Sequence, residues 1–119
     1  MGRNDKKEEQ KMNKQSFFYD QKNDILAIHK GFETNEGFKG NISIGKLILD
    51  VSTKGKIKGI EILDASEFLR EFDIKKGILM DINSIDFNAT KTPDSIVISL
   101  VIKSKNESIP AKIAVPIEN

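Results

Sequence analysis

Three residues could carry acid/base chemistry together: His29, the single histidine of the chain, Asp50 and Glu61. Asp50 and Glu61 each interrupt an otherwise aliphatic stretch, Leu47–Val51 and Ile57–Leu63. Burying a carboxylate unpaired is costly, so residues of this type among aliphatics need a reason. If the two stretches pair as adjacent strands, the carboxylates come close enough for one pKa to rise, which is what a general acid requires. His29 would supply a base or a ligand, although no second histidine or cysteine stands at metal-site spacing. The alternative places Asp50 and Glu61 on a solvent face with Lys46, Lys56 and Lys58 as cross-strand partners. Tyr19, Asp20 and Asp64 complete the candidate ligand or partner surface. The Asp20-Gln-Lys-Asn-Asp24 segment lacks the alternating ligands and terminal Glu of a Ca²⁺ loop and reads instead as an Asx-bonded turn.

Other site types are excluded. The chain has no cysteine, hence no disulfide framework, thiolate metal site or cysteine nucleophile. Gly31, Gly37, Gly40 and Gly45 are spaced irregularly and precede no helix, so they do not form a phosphate-cradling loop. Ser66 sits at a helix start, not on a nucleophile elbow. No cofactor or metal is expected.

These residues must be positioned by a mainly antiparallel scaffold. Phe17-Phe-Tyr19, a polar turn and Ile25-Leu-Ala-Ile28 predict a β-hairpin. A loop follows over 31–40, with Phe32 and Phe38 as anchors folding it onto the core. Residues 42–51 read as one central strand with an irregularity at Gly45. After a turn at 52–55, Lys56–Leu63 returns as its partner, with a bulge near Gly59. Asp64 and Glu67 have capping-box spacing, and Ala65, Phe68, Leu69 and Phe72 make an apolar helical stripe. Ile74, Ile78 and Ile82 predict a second short helix. Ile85–Ala89, Ile96–Lys103 and Ile109–Ile117 then read as strands, the last on an edge because Pro110 and Pro116 lack N–H donors.

The charge pattern bears on partners. Net charge is +1, but Arg3, Lys6, Lys7, Lys11 and Lys14 against Asp5, Glu8 and Glu9 leave residues 1–16 at +2 and the remainder at −1. A near-neutral body with Arg70 as its lone arginine disfavours nucleic-acid binding. Residues 1–16 carry too little apolar surface to order themselves and read as a flexible tail. No apolar run approaches the roughly 18 residues of a membrane span, so a cytoplasmic location is expected.

Two stretches, Tyr19-Asp20-x-x-x-Asp24-x-Leu26-x-Ile28 and Leu49-Asp50-x(4)-Gly55-Lys-Ile-x-Gly59-Ile-Glu-Ile-Leu-Asp-Ala-Ser66, resemble the YuzE-like family of small proteins of unknown function. The resemblance covers 17–68. Residues 71–119 resemble the longer C-terminal extension of archaeal members. Ala27 stands where the family pattern commonly has an aromatic. The resemblance implies a β-meander with one helix packed across it, no established catalytic activity and, by analogy with partners of small toxin-like proteins, an antitoxin-like role.

The expectation is therefore an α+β fold: an antiparallel meander with one or two short helices over 17–70 and a C-terminal β-hairpin within 71–119, all in one domain. Its expected function is a non-catalytic protein-interaction or oligomerising module, binding a protein partner or a second copy. Val97 and Val101, opposite Ile96, Ile98, Leu100 and Ile102, suggest a strand covered on both faces. The alternative is a small-molecule-binding or hydrolytic domain using Asp50, Glu61 and His29.

Overall fold

The computed structural model describes residues 15–117. Strands account for 56% and helical turns for 12% of them, so the expected α+β class is corrected to a mostly-β fold of two antiparallel sheets. The first sheet holds β1 (Ser16–Asp20), β2 (Ile25–His29), β3 (Phe38–Ile44), β4 (Leu47–Ser52) and β5 (Ile57–Ile62) in the order β1-β2-β5-β4-β3. The second holds β6 (Ile82–Lys91), β7 (Ser95–Ser104) and β8 (Ser108–Pro116) in that order. The expected tail lies outside the described residues up to position 14, and its last residue, Ser16, already belongs to β1.

Period-two alternation decides which residues face inward. Leu26, Ile28, Leu47, Leu49, Ile60 and Ile62 of the first sheet join Ile85, Phe87, Ile96, Ile98, Leu100 and Ile102 of the second in one buried cluster. Strand β6 packs against β2 and β5. The first hairpin forms as the sequence predicts, pairing Phe17 with Ile28 and Tyr19 with Leu26. β8 is an edge strand, as its prolines require.

Three local readings are overturned. Residues 42–51 are not one strand: Gly45, at φ 57°, opens a two-residue turn that folds Ile44 back onto Leu47, and the central strand is β5. Phe38 does not anchor a loop to the core but stands 56% exposed at the start of edge strand β3. The helices shrink to single turns, α1 (Ala65–Phe68), a 3-10 turn (Leu69–Phe72) and α2 (Lys76–Leu79), while Ile82 begins β6. Asp73 at φ 61° ends the first pair in a left-handed conformation, which stops the Ala65–Phe72 stripe after two turns. The predicted bulge is present, between the Asp50–Gly59 and Val51–Ile57 pairs, with Lys58 as the extra residue.

Candidate functional site

One face of the first sheet covers the core and, among the described residues, the other is open. The strand order sets residues distant in sequence side by side on the open face. His29 pairs with Gly59 and Gly59 with Asp50, so the three form one row across β2, β5 and β4. The next row runs Phe18, Ala27, Glu61, Ile48. Together Ser16, Phe18, Ala27, His29, Asp50 and Glu61 border a shallow depression of about 290 Å³.

Gly59 is buried beneath two of the side chains that line this depression. A β-carbon there would lie 2.6 Å from Asp50 Oδ2 and 2.7 Å from His29 Cδ2. The carboxylate and the imidazole thus lean over the bare glycine from opposite sides, well inside the roughly 10 Å beyond which acid/base partnership fails. On the far side of the ring, the Gly31 N–H donates to His29 Nδ1 at 2.8 Å, so the neutral imidazole carries its proton on Nε2. Phe32 meets the same ring edge-on, with centroids 4.8 Å apart.

The expected lysine partners do not serve the two acids. Lys46 bonds Asp64 at 2.6 Å, which raises the lysine pKa, and Lys58 pairs with Glu36 at 3.2 Å. Among the described residues no ion pair reaches Asp50 or Glu61. Nor do these acids and His29 make a metal centre, since the described residues contain no cluster of three His, Asp or Glu able to hold an ion.

The other expected site residues go elsewhere. Asp20 accepts from the Asn23 side chain at 2.9 Å and from its backbone N–H, in that order the causes that lower its pKa, and so forms the Asx turn. Asp64 does not cap a helix: it lies at φ 49° and its side chain makes no cap bond. Tyr19 points to the core side, where its hydroxyl donates to Asp24 Oδ1 at 2.5 Å. Asp24 also accepts from the Ser66 N–H at 3.0 Å and the Ser66 hydroxyl at 2.7 Å. This cross-chain carboxylate, not Asp64, caps α1. Burial pushes its carboxyl up, but the Tyr19 and Ser66 donors outweigh burial and hold it below its ordinary value. The Tyr19 phenol is driven well above its ordinary value, first by burial and then by the bond to Asp24.

A second buried polar cluster fastens the loop between β2 and β3. The Glu36 carboxylate, its side chain fully covered, accepts from the Glu33 N–H at 2.9 Å and the Ser52 hydroxyl at 2.6 Å and pairs with Lys58. Desolvation raises its pKa, yet these partners together hold it at about 2 against an ordinary 4.5. A carboxyl depressed in this way stabilises fully above pH 4.5, and the contribution disappears as pH falls through about 2. Amide spectra recorded across that window are expected to show residues 31–37 released before the sheets unfold, and Glu36→Gln is expected to abolish the pH dependence.

Phe18 was not among the expected site residues, although its signal was present. Three consecutive aromatics on a strand cannot share a face, so with Phe17 and Tyr19 inward Phe18 must point outward. It stands 67% exposed, directly across from the small residue Ala27.

Residues 17–66 match the profile of a family described as a protein of unknown function (DUF2283). The match spans the first sheet and the start of α1, including both the Tyr19–Asp24–Ser66 clasp and the His29–Gly59–Asp50 row. The second sheet lies outside it. No curated protein and no solved structure matches the chain.

Proposed function

We propose that this protein is a non-catalytic binding module that docks a protein partner on the open face of its first sheet. The observation that carries this reading is Phe18, two-thirds exposed on the open sheet face beside two carboxylates that no ion pair reaches among the described residues. Exposed aromatics in a shallow polar-rimmed surface are the usual anchors of protein contacts. The second sheet offers less: on its outer face Val97 and Val101 are already half-buried, and Asp86 and Lys103 are paired at 3.2 Å. An antitoxin-like role, with a small toxin-like protein as the partner, is the specific form suggested by the YuzE-like motif. A cytoplasmic site of action belongs to the same proposal.

The convergence of His29, Asp50 and Glu61 favours a second reading, a small-molecule-binding or hydrolytic site. It is the weaker one because His29 presents a donor, Nε2–H, where a general base needs a lone pair, and its only hydrogen bond among the described residues is to Gly31.

The test is capture of partners from the native host with the full-length chain, comparing wild type with Phe18→Glu. The wild type is expected to retain a stoichiometric protein partner, a second copy of the chain included, and F18E to lose it with the fold intact. Equal retention by F18E would overturn the proposal.

A further inference from the structure

Resting on that docking reading, we infer that the depression lined by Phe18, Ala27, His29, Asp50 and Glu61 receives the side chain of an arginine or lysine from an extended segment of the partner. Three features of the site are complementary to such a residue. Asp50 and Glu61 are diagonal neighbours on adjacent strands, about 7–8 Å apart at the backbone, a spacing that a guanidinium or ammonium group between them can bridge. Two like charges so placed repel unless a cation compensates them. Lys46 and Lys58, the lysines nearest in the strand pattern, are committed to Asp64 and Glu36.

The apolar parts fit the stem. Phe18 and Ala27 form a wall on which the methylene chain can lie, with the ring face open to a cation–π contact. His29 supplies the remaining group: with Nδ1 occupied by Gly31, Nε2–H donates and suits a peptide carbonyl. A free cation would use only the carboxylates, whereas an arginine or lysine within a peptide uses carboxylates, aromatic wall and imidazole donor together. The charge of the site excludes an acidic segment, and its donor distinguishes a peptide from a simple amine.

The experiment is an amide-resolved NMR titration of the full-length chain with N-acetyl-arginine methylamide. N-acetyl-lysine methylamide, ethylguanidinium and the neutral N-acetyl-norvaline methylamide are run in parallel. Saturable shifts are expected at residues 16–18, 27–29, 50 and 59–61 with the two basic peptides, with weaker binding of ethylguanidinium. Asp50→Asn together with Glu61→Gln is expected to weaken the arginine probe by at least about tenfold, while amides of the second sheet report an unchanged fold. No saturable response, an equal response to the norvaline probe, or a response unchanged in the double variant would each overturn the inference. So would movement of the same amides in Lys11→Glu/Lys14→Glu with no response to the probe in wild type, which would identify the chain's own basic N-terminal residues as the occupant. If the arginine probe fails while F18E still abolishes partner capture, the docking surface stands and only its basic ligand is rejected.

Discussion

Replacing Asp24 with alanine is expected to lower the stability of the fold by at least about 3 kcal/mol, read as a shift in the urea midpoint with an unchanged slope. The carboxylate joins three elements at once: β1 through the Tyr19 hydroxyl, α1 through the Ser66 amide and hydroxyl, and the β1–β2 turn in which it sits. Removing a helix cap costs about 1 kcal/mol, and leaving partly buried donors without an acceptor adds about 1–3 kcal/mol more. Asp24 also holds a left-handed conformation at φ 55°, which alanine adopts at an additional penalty of about 1–2 kcal/mol and asparagine tolerates. Asp24→Asn keeps one acceptor and the conformation, so its loss is expected to be near 1 kcal/mol, or roughly a third of the alanine effect. Equal losses for the two variants would show that the clasp contributes through something other than these hydrogen bonds.

Gly59→Val is expected to abolish docking on the open face. Its β-carbon alone would sit 2.6 Å from Asp50 Oδ2, 2.7 Å from His29 Cδ2 and 3.3 Å from Asp50 Cβ, and the branched methyls add bulk against the same two side chains, which line the depression. The Asp50 carboxylate and the imidazole can swing away, but the Asp50 Cβ is fixed to the strand, so overpacking of about 1–3 kcal/mol is expected. Gly59→Ala displaces the same two groups more gently. Glycine in a strand costs about 0.5–1 kcal/mol relative to alanine through chain entropy, and that gain offsets much of the clash. The alanine variant therefore separates docking from stability: the fold is expected to hold while Asp50 and His29 are pushed out of place in the site.

The sequence was most legible where local chemistry settles the structure. Tyr19, the polar turn and Ile25–Ile28 specify a hairpin because alternation and turn residues agree. Ile44-Gly45-Lys46-Leu47 was misread because aliphatic residues continue on both sides of the glycine, and only its positive φ reveals the turn. The stripe Ala65, Phe68, Leu69, Phe72 reports a face but not a length. Its first turn is capped from afar by Asp24, not by Asp64, and Asp73 in the left-handed conformation ends the run after two turns.

The site was half legible for the same reason. Glu61 and Asp50 stood out as carboxylates among aliphatics, whereas their juxtaposition with His29 depends on β5 lying between β2 and β4, which no local pattern encodes. Asp24 was read as a turn residue because its partner Ser66 lies 42 positions away. The distinctive run ending Asp64-Ala65-Ser66 thus combines a structural clasp at its end with the glycine over which Asp50 and His29 of the docking surface lean.

The most direct test of this account is partner capture from the native host by full-length wild type and Gly59→Ala, with amide spectra of both. The account predicts that G59A retains the spectrum of the second sheet and loses the partner held by the wild type. Capture of the same partner at the same stoichiometry by G59A would contradict it.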